Sequence, residues 1–254
     1  MDKQFLVFLL IAHVLGDYHF QPQQMAEEKN RQVRALFLHG VVVFAVTMPI
    51  FVLYKESDVL ISLGFVAASH LLIDFAKSRM LEAWPSLAKR ESIVFWVDQA
   101  VHILIILAVV LEAPSLTLRM AEQELVYDAS KALLAFLLLT KPANVMIALS
   151  TKRYHYETEG EGQVLITDLV PDVAINTKGR EGAGALIGSL ERLLSAILLW
   201  NGQLAAIGLI FTAKSIARFD RIQKDQRFAE YYLIGSLSSL LICFLVMGFL
   251  RYLI

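Results

Sequence analysis

Long apolar blocks alternate along this chain with short charged stretches. Crossing a bilayer core of about 30 Å takes about 20 helical residues, and several of the blocks reach that length. None shows the period-two alternation of a barrel strand. A chain in lipid must satisfy its own backbone, so blocks of this kind predict helices. The predicted spans are 4–20, 35–54, 59–80, 93–112, 129–149, 184–200, 203–219 and 231–253. The expected fold class is therefore all-α: a polytopic transmembrane bundle of about eight spans, the first four (1–112) forming a four-helix bundle.

Between the blocks the pattern is less regular. Residues 116–127 read as a short amphipathic helix on the outer surface, which with the fifth span fills 113–149. Lys131, Lys141, Pro142 and Asn144 predict a kink or a partly interfacial path for that span. Segment 150–183 is acidic and glycine-rich over Glu157–Gln163, then carries two short β-like runs around Pro171-Asp172. It reads as a cytoplasmic connecting loop, with a small hairpin as the alternative. Residues 184–254 make a three-span segment. Its first two spans are short and joined at Trp200-Asn201-Gly202, so a re-entrant hairpin is the rival reading there.

Charge gives the spans a direction. Of the 23 Lys and Arg residues, sixteen fall in one set of alternate loops, from Lys29 to Arg227, and five in the other set. Cytoplasmic loops are the ones enriched in basic residues, so the expected topology has both termini outside the cytoplasm. The first block has the charged tip and apolar run of a signal peptide. It also carries His13 and Asp17 and lacks a small-residue cleavage pattern, so it reads as a retained first span. Cys243 has no partner for a disulfide. The expected partners are membrane lipids, with no nucleic acid.

The chemistry is concentrated in the first four spans, each of which carries one histidine: His13, His39, His70 and His102. His13 and Asp17, His70 and Asp74, and Asp98 and His102 are each four residues apart, which stacks both side chains on one helix face. The first and third spans share the pattern His-x-Leu-x-Asp, a weak repeat of two helical hairpins. Given the expected topology, all seven side chains fall at the cytoplasmic end of their spans. Imidazoles and carboxylates converging from several helices are how bundle metal sites are built. The mixed nitrogen and oxygen set suits Zn, Mn or Fe, as one or two divalent ions. The plainer alternative is polar glue, with His and Asp hydrogen-bonded between helices.

The second half offers fixed charges instead: Glu191, Arg192, Lys214 and Glu230. Buried charges need partners, so an ion pair from Glu191 to Lys214 or Arg192 is one expectation. The other is that Arg192, Lys214 and Lys77 bind a phosphate or carboxylate head group. Phosphate-binding glycine loops, Cys-x-x-Cys pairs, His-Glu-x-x-His and nucleophile elbows are absent from the sequence.

A family resemblance rests on His13–Gln21 (HVLGDYHFQ), Leu38-His39-Gly40, Ile187–Arg192, Ala213–Phe219 and Glu230–Gly235. On these residues the chain resembles an uncharacterised bacterial inner-membrane family, domain of unknown function 3307. More distantly, its N-terminal half is similar to membrane proteins labelled metal-dependent hydrolases. The resemblance implies a bacterial inner-membrane location and draws attention to Glu191, Arg192, Lys214, Ser215 and Glu230. The function expected is a membrane-embedded metal-dependent hydrolase acting on a lipid or lipid-linked substrate at the cytoplasmic leaflet. Asp17, Asp74, Lys77 and Glu191 are the expected catalytic residues, and Arg192, Lys214 and Ser215 the expected substrate contacts. An ion- or proton-coupled transporter and a metal-stabilised scaffold are the rivals. A membrane di-iron oxidase lacks its several His-rich clusters here.

Overall fold

The computed structural model describes residues 2–30, 32–113, 116–119, 122–151 and 183–252. The described residues are helical with no strand, and five helices are long and apolar enough to cross a membrane: Val33–Leu53, Val59–Ala83, Glu91–Glu112, Gln123–Thr151 and Gln226–Tyr252. That is compatible with a multi-pass membrane protein. Of the eight expected spans, those at 4–20, 184–200 and 203–219 also form helices but are not among these five. The chain divides into two compact units, Met1–Leu137 and Leu138–Ile254.

In the first unit, α1 (Lys3–Val14) starts where the Asp2 carboxylate accepts the Phe5 N–H at 2.9 Å, an N-cap that the sequence supplies before an apolar run. It continues into a single π turn over Leu15–His19. Most of α1 is buried, from Phe5 to Val14, so its apolar surface meets protein all round. After the short α2 (Gln23–Glu28) come α3 (Val33–Thr47), α4 (Pro49–Leu53), α5 (Val59–Ala83) and α6 (Glu91–Glu112), with a 3-10 segment at Pro85–Arg90 before α6. The contacts close a circuit: α3 packs on α5, α5 on α6, α6 on α1 and α1 on α3.

Each of these helices buries one seam. On α3 it runs through Ala35, Leu36, His39, Val43 and Thr47, on α5 through Val59, Leu63, Val66, His70, Asp74 and Ser78, and on α6 through Asp98, His102, Ile106, Val109 and Val110. Apart from the adjacent pairs Ala35-Leu36 and Val109-Val110, the steps are three and four residues, so every seam is one face of a helix. Outward faces carry Phe37, Phe44, Phe65, Leu72 and Leu104, all exposed. Ionisable groups inside with large apolar groups outside is the reverse of a water-soluble domain, and it matches lipid as the solvent.

Two glycines permit the close packing. A Cβ on Gly16 would lie 3.2 Å from Val43 Cγ2, and one on Gly40 would lie 3.0 Å from Leu71 Cδ1. The Gly16 contact is with a buried, β-branched Val43, whose Cα is also 3.7 Å away, so Gly16→Ala is expected to lower stability by about 1–3 kcal/mol. Thermal unfolding in detergent beside Gly64→Ala checks this, because a Cβ on Gly64 meets nothing within 4 Å.

The helix expected over 116–127 is not formed as such. Leu118 pairs with Tyr54 in an isolated antiparallel bridge, with Lys55 N–H donating to Thr117 O and Arg119 N–H to Leu53 O. Helix resumes at α7 (Gln123–Leu139). Backbone pairing with the end of α4 competes successfully with an amphipathic pattern too short to hold a helix on its own.

In the second unit the fifth block breaks at Thr140, and α8 (Lys141–Thr151) follows. Pro142 explains the expected kink: it has no N–H for the carbonyl four residues back, and its ring crowds that carbonyl. The remaining helices are α9 (Ala183–Trp200), α10 (Leu204–Ala217), α11 (Phe219–Lys224) and α12 (Gln226–Tyr252), with α12 packed on α8, α9 and α11. Gly202, at φ 70°, closes the turn after α9, a left-handed position natural to glycine. The β-like runs expected around Pro171-Asp172 lie outside the described residues.

Candidate metal centre

All seven side chains expected to act together, His13, Asp17, His39, His70, Asp74, Asp98 and His102, are buried in one layer of the first unit. α1 ends there, and α3, α5 and α6 pass through it near their middles, which is why residues far apart in sequence meet. Ring centroids lie 4.2 Å apart for His70 and His102, 5.3 Å for His13 and His102, and 5.3 Å for His39 and His70.

The tightest convergence is around His39 and His70. Their Nε2 atoms are 3.1 Å apart. Asp17 Oδ1 lies 3.2 Å from the first and 3.0 Å from the second, and Asp74 Oδ2 lies 3.2 Å and 3.6 Å from them. Asp17 Oδ1 nevertheless makes no aligned hydrogen bond among the described residues. With metal bonds of about 2.0–2.2 Å, the donor atoms of one coordination sphere are about 3.0–3.5 Å apart, which is the spacing seen here. Three overlapping groups could hold an ion: His13, Asp17 and His70; His39, His70 and Asp74; and Asp74, Asp98 and His102.

Neutral side chains orient the ligands. The Gln99 amide donates to Asp17 Oδ2 at 3.3 Å and Asp98 Oδ2 at 3.4 Å. Its carbonyl oxygen accepts the Tyr18 hydroxyl at 2.8 Å and faces His13 Nε2 at 3.3 Å. With the amide so oriented, His13 carries its proton on Nε2 and presents a bare Nδ1, which is buried and without a hydrogen-bond partner among the described residues. His102 Nδ1 likewise faces its own Asp98 carbonyl at 2.9 Å, leaving Nε2 bare.

Two lysines complete the layer. Lys29 Nζ is 3.0 Å from Asp74 Oδ2 and 3.3 Å from His39 Nε2, and the residue is 6% exposed. Lys77 Nζ bridges Asp74 Oδ1 at 3.2 Å and Asp98 Oδ2 at 2.8 Å. Lys77 was expected in the site. Lys29, Gln99 and Tyr18 were not: Lys29 reads as a loop charge in sequence, and the other two carry no charge to draw notice. An apolar crevice lined by Leu9, Val43, Val66, Ile105 and Ile106 opens onto His13, His70 and His102.

The remaining expected residues belong to the second unit. Arg192, 2% exposed, donates from Nε to Leu139 O at 2.8 Å, from one terminal nitrogen to Ser239 Oγ at 3.1 Å, and from the other to Asn144 Oδ1 and Ser189 Oγ. Lys214 Nζ lies 2.6 Å from Glu191 Oε2, the helix-to-helix ion pair that was one of the two expectations. Ser215 Oγ donates to Phe211 O at 2.9 Å and lies 3.5 Å from Tyr232 Oη.

No curated protein and no solved structure matches the chain. The segment that builds the buried His/Asp layer does have relatives: residues 5–129 match the model of the family described as Protein of unknown function (DUF3307).

Proposed function

We propose that the protein is a membrane-embedded, metal-dependent hydrolase whose centre is the His/Asp layer of the first unit, acting on a lipid or lipid-linked substrate at the cytoplasmic leaflet. The observation that carries this reading is the spacing of Asp17 Oδ1, His39 Nε2, His70 Nε2 and Asp74 Oδ2, with contacts of 3.0–3.6 Å and no aligned hydrogen bond to Asp17 Oδ1 among the described residues. Polar glue would align its hydrogen bonds instead. A divalent ion, Zn, Mn or Fe, supplies Lewis acidity and acidifies a water in such a site.

This chain's own residues do the rest. Gln99 fixes the tautomer of His13. Asp98, which shares a single lysine, is placed to accept a proton. Lys77 neutralises charge that develops beside it. The basic-residue asymmetry supports the cytoplasmic side.

The test is metal content of the detergent-purified protein by mass spectrometry, beside a His13→Ala/His70→Ala variant that remains monodisperse. Bound ion in the first and none in the second is the expected result, followed by product release from a panel of lipids and lipid phosphates. A metal-replete protein silent across the panel argues against hydrolysis.

A further inference from the structure

The three overlapping ligand groups are not equivalent, and the difference lies in fixed positive charge. Asp74 has two ammonium groups on it, Lys29 at Oδ2 and Lys77 at Oδ1; Asp98 has one, Lys77 at Oδ2. Asp17 has none at ion-pair distance among the described residues, where its contacts are to imidazoles. The group His39, His70 and Asp74 thus already contains Lys29, which also reaches His39 Nε2, and the group Asp74, Asp98 and His102 already contains Lys77. Only His13, Asp17 and His70 form a group without a lysine.

The unpaired atoms point to the same place. His13 is 6% exposed and its Nδ1 is bare, with the proton held on the other nitrogen by Gln99; Asp17 Oδ1 is equally without a hydrogen bond among the described residues. His70 and His13 both line the apolar crevice, so a position beside them faces a small cavity with room for about one water. Counting formal charges, three carboxylates against two ammonium groups leave the layer with one negative charge in excess. One divalent ion reverses that by a single unit, which one anionic oxygen from water or substrate then balances. Two ions would leave a buried excess of three positive charges, a state that low-dielectric surroundings penalise heavily.

We propose that the layer takes a single divalent cation, held by His13 Nδ1, Asp17 Oδ1 and His70 Nε2 with a fourth position open to the crevice. In this arrangement Lys29 and Lys77 stand as tethered cations in the two neighbouring positions. Two imidazoles, one carboxylate and an open position is a ligand set suited to catalytic rather than structural zinc. Lys77 in particular takes the place a second ion would occupy, so removing its charge opens that place to one. This assignment rests on the metal reading above and specifies where and how many.

The experiment is metal stoichiometry of the full chain in detergent, loaded with Zn2+ and dialysed, with Co2+ absorption as an independent readout of the ligand sphere. Wild type is expected to hold one equivalent, Asp17→Asn to bind more than about 100-fold more weakly, and Lys77→Met to hold two. Asp98→Asn is expected to keep its one ion. Two equivalents in wild type, undiminished binding in Asp17→Asn, or loss of the ion in Asp98→Asn instead would overturn the assignment while leaving a metal protein. Lys77→Met remaining at one equivalent would overturn the role given to Lys77. Wild-type protein with no ion at all after loading would overturn the metal reading together with this one. Asp17→Asn keeps the size of the native side chain, and wild-type stoichiometry needs no variant, so a misfolded Lys77→Met protein does not remove the test.

Discussion

Replacing Asp74 with alanine is expected to destabilise the first unit by about 3–5 kcal/mol, because it strips the main counter-charge from buried cations. Lys29 would keep only an imidazole nitrogen, and Lys77 would keep only Asp98. Asp74 is 2% exposed and lies beneath both lysines, so water cannot take its place without opening the layer. The same reasoning makes the loss reversible in part. Adding Lys29→Met to Asp74→Ala removes the cation left behind, and the double variant is expected to recover about half of the lost stability. A double-mutant cycle read by thermal or SDS unfolding in detergent checks both values, since residues in one ion-pair network couple strongly. If the two losses simply add, the Lys29–Asp74 contact is not an energetic pair.

The second large effect is expected in the other unit. Arg192→Leu should cost about 3–5 kcal/mol, because it leaves Leu139 O and Asn144 Oδ1 as buried acceptors without donors. Leu139 precedes the break at Thr140, where helical continuity is lost, and the guanidinium supplies the donor that the backbone there does not. Arg192→Lys is expected to recover little: a single ammonium cannot reach Leu139 O, Ser239, Asn144 and Ser189 from one position, whereas a planar fork with five N–H groups can. Unfolding of Arg192→Leu, Arg192→Lys and Asn144→Ala side by side is the check. Equal stability for Lys and Arg would mean that charge alone matters at this site.

Sequence spacing made parts of this architecture readable and left other parts hidden for definite reasons. His13 with Asp17, His70 with Asp74 and Asp98 with His102 are visible as helical i, i+4 pairs, and span direction places them at one depth. Their meeting could not be read, because the order of helices around a bundle is not carried by spacing. The circuit of α1, α3, α5 and α6 supplies it. Lys29 was hidden because a lysine between two helices looks like any solvated loop charge, and only the fold shows its four-carbon stem turned back onto Asp74. Gln99 was hidden because an amide draws no notice until its partners are in place. The bridge of Leu118 with Tyr54 was hidden for another reason: it pairs backbones 64 residues apart, and side-chain periodicity does not encode that.

The π turn at Leu15–His19 has one more consequence. A π turn takes up one more residue than an α turn over the same stretch of axis, and it sets the angle at which everything after it leaves the helix. Asp17 sits inside that turn, with Phe20 N–H closing it onto Leu15 O at 2.8 Å. The carboxylate's bearing on His39 and His70 is therefore fixed by how many residues the segment contains as much as by which residues they are. Shortening the segment by one at Leu15 would let the helix relax to ordinary pitch and swing the carboxylate off its histidines, with every functional side chain still present. In this part of the chain, length is itself a determinant of the site, and the segment should tolerate substitution at Leu15 far better than loss of a residue.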